Sequence, residues 1–515
     1  MLKLRSKYEV KIRAFYIKFW KQLLIIFFSV AYLPIIYKVP IGYDQGIFAY
    51  IGEVIKRGGN PYQDAWDFKG PLLYYLNALG LGLFDDLRGI FILELVWNCT
   101  FIFISLKLIQ RSRINFNFFY CFSIGIISYI LVMMGGNLTE TWGFGPQILS
   151  YSIVWSIVNT DKNLLKTKSL LFYNLAQSLN FFVCFQLRPN NAMGIGIAWL
   201  ITSIISIKIL KLDSRRIIQI NFIFILALFI SSLLFIYNRG YLKSYLYQAF
   251  QFNFDYINQF TLSERLNNAF FLLTKTYKLP IVTLMLLLIF VVVVSNRKLL
   301  HLKSGMVFVL IFITDLLSII VSGMPWLHYL VLIIPSSIFL TYSIMSVEYF
   351  EKEIFQSMVQ RLVLTLLILV FTFMALNSRW YVEFTKESFR NKDSTLYLAS
   401  KFISENTDTS DRLYVWGKPP IYHLKPFRYS ASNVTYIYPM LVNNDEQDKY
   451  IREINQDFIV YKPRYILQAN RYCFEWKKCS NRYPISLEPT ILYIKNTYEP
   501  VLSINQELTI WKLKS

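Results

Sequence analysis

The chain has 515 residues, 55% of them hydrophobic and only 17% charged, with a formal net charge of +21. A soluble globular chain carries about 25% charged residues, so this composition excludes a purely soluble protein. The basic residues gather in short segments between long apolar runs, which is the positive-inside pattern of a membrane protein rather than the basic face of a nucleic-acid binder.

The opening segment MLKLRSKYEVKIRAFYIKFWK is basic and leads into an apolar stretch without the short core and small-residue cleavage site of a signal peptide, which predicts an uncleaved first span. A crossing helix needs about 20 mostly apolar residues. Spans are predicted near 22–41, 88–110, 114–134, 143–158, 169–187, 192–210, 217–237, 279–295, 305–322, 327–346 and 361–377, eleven in all. One set of loops carries Lys107, Arg111, Arg113, Lys162, Lys166, Lys168, Lys208, Lys211, Arg215, Arg216, Arg297, Lys298 and Lys303, whereas the opposite loops near 135–142 and 323–326 contain no base. The N-terminus is therefore predicted to be cytoplasmic and the tail extracytoplasmic, in a multi-pass protein of the inner (plasma) membrane.

The first outer loop, 42–87, is unusually polar at its start. Ile47, Ile51, Val54 and Ile55 form a helical stripe opposite Glu53, Lys56 and Arg57, and PLLYYLNALGLGLF (71–84) is apolar but too short to cross. Two amphipathic helices lying on the membrane surface are expected here. Asp44, three residues past the first span, is either a cap for a helix starting near Gln45 or a functional carboxylate. Glu140 is either a solvated loop acid or a second such carboxylate. Lys69 and Arg188 are outer-face cations, readable as snorkelling side chains or as ligands of an anionic group. Glu94 and Asp315 are acids within apolar spans, which makes Asp315 a functional candidate or a partner in a buried interhelical hydrogen bond. His328 and Tyr329 are expected in the interfacial aromatic belt.

Beyond residue 377 the composition changes. An amphipathic helix is expected in EFTKESFRNKDSTLYLASKFISENTDTSDR, and LYVWG, FIVYKPRYILQ and ILYIKN read as strands. The chain thus divides into a polytopic α-helical membrane domain, 1–377, and a small extracytoplasmic α/β domain, 378–515. Cys99, Cys121 and Cys184 fall in spans as inert core residues, while Cys473 and Cys479 are compatible with a disulfide or with two separate thiols. NLT (137–139) and NVT (433–435) match the N-glycosylation pattern. The three histidines have no H-x-x-x-H spacing, and there is no P-loop, no G-x-G-x-x-G after a strand and no G-x-S-x-G.

The stretch YDQGIFAYIGEVIKRGGNPYQDAWDFKGPLLYY resembles the first outer loop of GT-C glycosyltransferases, specifically the bacterial relatives of protein O-mannosyltransferases and the lipid A aminoarabinose transferases. NLTETW, LRPNN, FQFNFDY, HYLVLIIP and DRLYVWGKPPIYHL resemble later landmarks in the expected order, and the tail beyond about 430 resembles nothing named here. The resemblance implies inverting transfer of a sugar from a polyprenyl-phosphate donor to a glycan, lipid or protein acceptor on the outer face. It assigns Asp44 as the base, Glu140 as the second acid orienting the acceptor or a metal, and Lys69 to the donor phosphate with Arg188 as a second cation. Tyr62, Asp67, Asn253, His328 and Tyr329 fall on its substrate-binding landmarks. The resemblance names no definite cofactor and leaves a divalent metal open. Gln45 stands where many members have Glu, which weakens a metal role for that neighbour. The alternative is a transporter or lipid flippase of the cell-envelope glycan pathway, which would need polar residues deep in its spans.

Overall fold

The computed structural model describes residues 21–39, 42–84, 86–109, 117–161, 164–210, 214–275, 303–345, 389, 391–417, 420–442, 446–470, 472 and 483–514. The expected spans 279–295 and 361–377, Arg111, Arg113, Lys162, Lys211, Arg297, Lys298, Cys473 and Cys479 lie outside the described residues. Contacts divide the chain into two compact units. One comprises Met1–Pro34, Leu93–Ser232 and Thr261–Val382; the other comprises Ile35–Ile92, Leu233–Phe260 and Glu383–Ser515.

The first unit is helical. Among the described residues six helices are long and apolar enough to cross a membrane: Lys21–Lys38, Arg88–Ile109, Thr167–Leu187, Pro189–Ile209, Gln219–Asn238 and Ser304–Ser322. The shorter helices Asn117–Val132 and Ile334–Met345 complete the packing. Thr139–Asn159 is the central helix, buried along almost its whole length and packed against Thr167–Leu187, Met193–Leu210 and Ile334–Met345. Its polar side chains, Glu140, Gln147, Ser150 and Ser152 among them, are buried along with the apolar ones. Gly125 lets Ile338 close in, since a Cβ there would lie 2.4 Å from its Cδ1.

The second unit begins with the helices Tyr43–Lys56 and Pro71–Phe84 packed as a pair. The expected one-sided surface helix is not what forms. Residues 45–54 are buried on all faces, Glu53 included, because residues 420–430 pack against the same helix. The Ser430 N–H donates to the Tyr50 hydroxyl at 2.9 Å, and the Tyr50 ring stacks on Phe427. Glu53 is compensated there by Arg57 at 2.9 Å and Lys56 at 3.7 Å.

The rest of this unit is a four-stranded sheet in the order β1-β2-β4-β3, with β1 Leu413–Trp416, β2 Tyr465–Ala469, β3 Tyr498–Ile504 and β4 Leu508–Leu513. β1 and β2 are parallel and joined through the helix Gln447–Tyr461; the other pairings are antiparallel. Helix Thr395–Asn406 precedes β1 and is capped by Ser394, whose Oγ accepts the Tyr397 N–H. Two strand expectations are corrected. ILYIKN belongs to the helix Glu488–Thr497, started by a proline in its first turn and anchored by buried Ile491 and Ile494. Most of FIVYKPRYILQ before Arg464 is the end of Gln447–Tyr461, closed by Lys462 in the left-handed region at φ 41°.

Candidate functional site

In the second unit the polar loop between the paired helices is a rigid frame around Lys69. Tyr62, held at φ 65°, donates its hydroxyl to the Lys69 carbonyl at 2.6 Å, while the Lys69 N–H donates to the Tyr74 hydroxyl at 3.0 Å. Asp67 is buried, and its two oxygens accept from Tyr74 at 2.7 Å and Tyr436 at 2.9 Å. Burial pushes the Asp67 carboxyl above its usual range, against the opposing pull of the Lys69 charge and the two tyrosine hydroxyls. Gln248 accepts from the Asp67 N–H and donates to the Tyr62 carbonyl at 2.7 Å. Asn253 donates to the Phe68 carbonyl at 2.8 Å, and the Trp66 N–H donates to the Asn433 carbonyl at 2.8 Å. The Lys69 ammonium, half-buried, sits over the Phe68 ring at 3.8 Å. Tyr62, Asp67 and Asn253 therefore fix the backbone that carries Lys69.

Asp44 lies in the first turn of Tyr43–Lys56, not at its cap. The N-cap is Gly42 and no side chain caps the helix, so the capping expectation is corrected. A carboxylate one residue inside the first turn still opposes the positive end of the helix dipole. Asp44 is half-buried and its carboxylate accepts no hydrogen bond from the described residues.

In the first unit Glu140, Arg188, His328 and Tyr329 come together. Glu140 is in the first turn of Thr139–Asn159 and 1% exposed, so it is not a solvated loop acid. Arg188, at the end of Thr167–Leu187, is buried rather than snorkelling. Its guanidinium donates to Glu140 Oε1 at 3.0 Å and to the Tyr329 hydroxyl at 3.2 Å. His328 Nε2 lies 3.9 Å from Glu140 Oε2, and both His328 and Tyr329 are buried rather than belt residues. Deeper in this unit, Asp315 accepts from the Tyr151 hydroxyl at 2.8 and 2.9 Å, the interhelical bond expected of a mid-span acid. Glu94 is likewise buried, accepting from the Tyr32 hydroxyl and from the Asn137 N–H at 2.8 Å. Asn137 of the first glycosylation pattern is buried, with its side-chain oxygen taken by the Trp142 indole. Among the described residues no three His, Cys, Asp or Glu side chains gather in one place.

Tyr74, Gln248 and Tyr436 were not singled out by the sequence. Tyr436 lies 369 residues from Asp67, and no local pattern marks such a pair. No family model matches the chain, and no curated protein matches it at a significant level.

Proposed function

We propose that this chain is an inverting membrane glycosyltransferase with eleven spans, using a polyprenyl-phosphate sugar on the outer face of the plasma membrane. The frame around Lys69 carries the reading. Both the N–H and the carbonyl of Lys69 are held by buried tyrosines, so the backbone from which the cation reaches is fixed in place. In the reaction the acceptor hydroxyl oxygen attacks the sugar's anomeric carbon from the face opposite the leaving group. Its proton passes to Asp44. The bond from the anomeric carbon to the phosphate oxygen breaks, and the electron pair leaves on the polyprenyl phosphate. Phosphate is a good leaving group, so a base and a cation near the developing charge are the main requirements. Lys69 supplies that cation. Within the first unit, Glu140 and Arg188 neutralise each other at 3.0 Å.

The test is sugar transfer by purified protein from a polyprenyl-phosphate donor. Loss of a general base typically costs ~10²–10⁴-fold in rate, so Asp44→Asn should fall by that factor while folding normally. Lys69→Ala should fall roughly ten- to hundredfold, the worth of one charged hydrogen bond. Normal transfer by folded Asp44→Asn would remove Asp44 from the reaction. A wild-type protein that moves the lipid-linked sugar across vesicles without forming product would favour the flippase reading.

A further inference from the structure

Within the first unit, Asp315 stands in the apolar helix Ser304–Ser322, 1% exposed, and no basic side chain pairs with it among the described residues. A carboxylate buried this way keeps its charge only where a counter-charge meets it. Its surroundings are rich in oxygen. Both carboxylate oxygens meet the Tyr151 hydroxyl, at 2.8 and 2.9 Å, and the Ser336 hydroxyl stands beside them. The Tyr151 proton goes to the carboxylate, which leaves the lone pairs of the phenol oxygen open. Gly194 makes room for the arrangement, since a Cβ there would clash with both Asp315 Oδ1 and the Tyr151 oxygen.

Two buried amides point to a ligand in this cluster. Gln147 lies one turn before Tyr151 on the central helix and faces its hydroxyl, yet neither amide atom of Gln147 makes a hydrogen bond of normal geometry. One turn earlier, Gly143 faces Asn191, whose Nδ2 lies 3.6 Å from where a Cβ would stand. The Asn191 side chain is 1% exposed and likewise unbonded at both polar atoms. Buried amides are costly to leave unpaired, and so mark places that a ligand completes. Carboxylate, phenol and amide oxygens are the ligands of hard cations, and a single carboxylate matches a single positive charge. We infer that Asp315, Tyr151 and Gln147 form a site for a monovalent metal cation, with the Asn191 amide on its approach. The inference does not depend on the proposed reaction, because none of these residues has a role in it.

The experiment is thermal unfolding of the purified full chain in detergent, at constant ionic strength, with sodium, potassium or N-methylglucamine as the chloride salt. A cation that binds only the folded chain raises the unfolding temperature as its concentration rises. Wild type should unfold about 2–4 °C higher in saturating sodium or potassium than in N-methylglucamine, which is too large to enter. Asp315→Asn removes the charge while keeping an oxygen for the Tyr151 hydroxyl, and should abolish the shift. Gln147→Leu should raise the concentration that gives half the shift about tenfold, the scale of one lost ligand contact. Equal unfolding temperatures of wild type in all three salts would overturn the site and leave Asp315 as a neutral, hydrogen-bonded acid. A shift unchanged in either folded variant would place the ion elsewhere and overturn the site equally. Gln147→Leu leaves the Asp315–Tyr151 bond in place, so it decides the matter by itself if Asp315→Asn does not fold.

Discussion

Glu140 and Arg188 are 48 residues apart in the chain and 3.0 Å apart in the fold, both buried. Removing one member of such a pair strands the other's charge in a medium that cannot solvate it, a loss of about 3–5 kcal/mol. Glu140→Gln or Arg188→Met alone should destabilise on that scale, and the double substitution should recover part of the loss. Thermal unfolding in detergent measures this; strictly additive losses would show that the two are uncoupled. His423 gives a second expectation. Burial pushes its pKa down to about 3, only partly opposed by the Arg428 carbonyl. The unfolded chain, with His near 6.5, therefore takes up the proton first. The contribution of neutral His423 is complete above about pH 6.5 and declines as pH falls toward 3, by up to about 1.4 kcal/mol per pH unit. His423→Gln should flatten that slope in unfolding measured against pH. Neither environment was legible in the sequence. The loop-acid alternative for Glu140 stayed open because its partner is distant in the chain, and the cap alternative for Asp44 because one residue of helix boundary decides between N-cap and first turn.

Helices were more legible than their surroundings. Apolar runs of span length leave few alternatives in a bilayer, and the described helices fall close to the expected limits. What the pattern could not show was that Tyr43–Lys56 is covered on its polar side as well, since its cover arrives from residues 420–430. The hairpin β3–β4 was missed because its turn, Asn505-Gln506 at φ 49° and 55°, lacks the usual glycine. Close approach of Pro71–Phe84 to Tyr43–Lys56 and to Arg88–Ile109 rests on glycine. A Cβ at Gly52 would lie 2.7 Å from Asn77 Cβ and 2.9 Å from the Ala78 nitrogen, and one at Gly80 would lie 2.7 Å from Ile90 Cα. Backbone cannot yield as a side-chain tip can, so Gly52→Ala and Gly80→Ala should each cost about 1–3 kcal/mol. Gly82, on the same helix as Gly80, has nothing within 4 Å of its Cβ direction. Gly82→Ala should be neutral or stabilising by up to about 1 kcal/mol through helix propensity. Thermal unfolding of the three variants separates close approach from propensity; equal effects at all three would leave packing without a role.

At the scale of the whole molecule, the second unit constrains how the chain crosses the membrane. Segments 35–92, 233–260 and 383–515 form one compact body. Hydrogen bonds join them, from Asn253 to the Phe68 carbonyl, Arg239 to Asn60 and Trp66 to Asn433. In the proposed multi-pass arrangement, segments bonded this way share one side of the bilayer, so the chain between any two of them would cross an even number of times. Between the first segment and the second, the eleven-span reading has six crossings, of which four described helices, Arg88–Ile109, Thr167–Leu187, Pro189–Ile209 and Gln219–Asn238, are long and apolar enough to cross. Between the second and third, the eleven-span reading has four crossings, near 279–295, 305–322, 327–346 and 361–377. Both numbers are even. Counting Pro71–Phe84 as a further span would divide the body between two faces, which its pairing with Tyr43–Lys56 opposes. In the proposed topology, set by the positive-inside bias, this body lies outside. Single cysteines in a variant lacking the native ones provide the measurement, with an impermeant thiol reagent on intact cells. Gln63→Cys and Lys401→Cys, both at exposed positions, should label, while Arg111→Cys and Arg215→Cys should label only after permeabilisation. Labelling of 63 without 401 would break the even count between loop and tail, and labelling of 111 in intact cells would reverse the orientation.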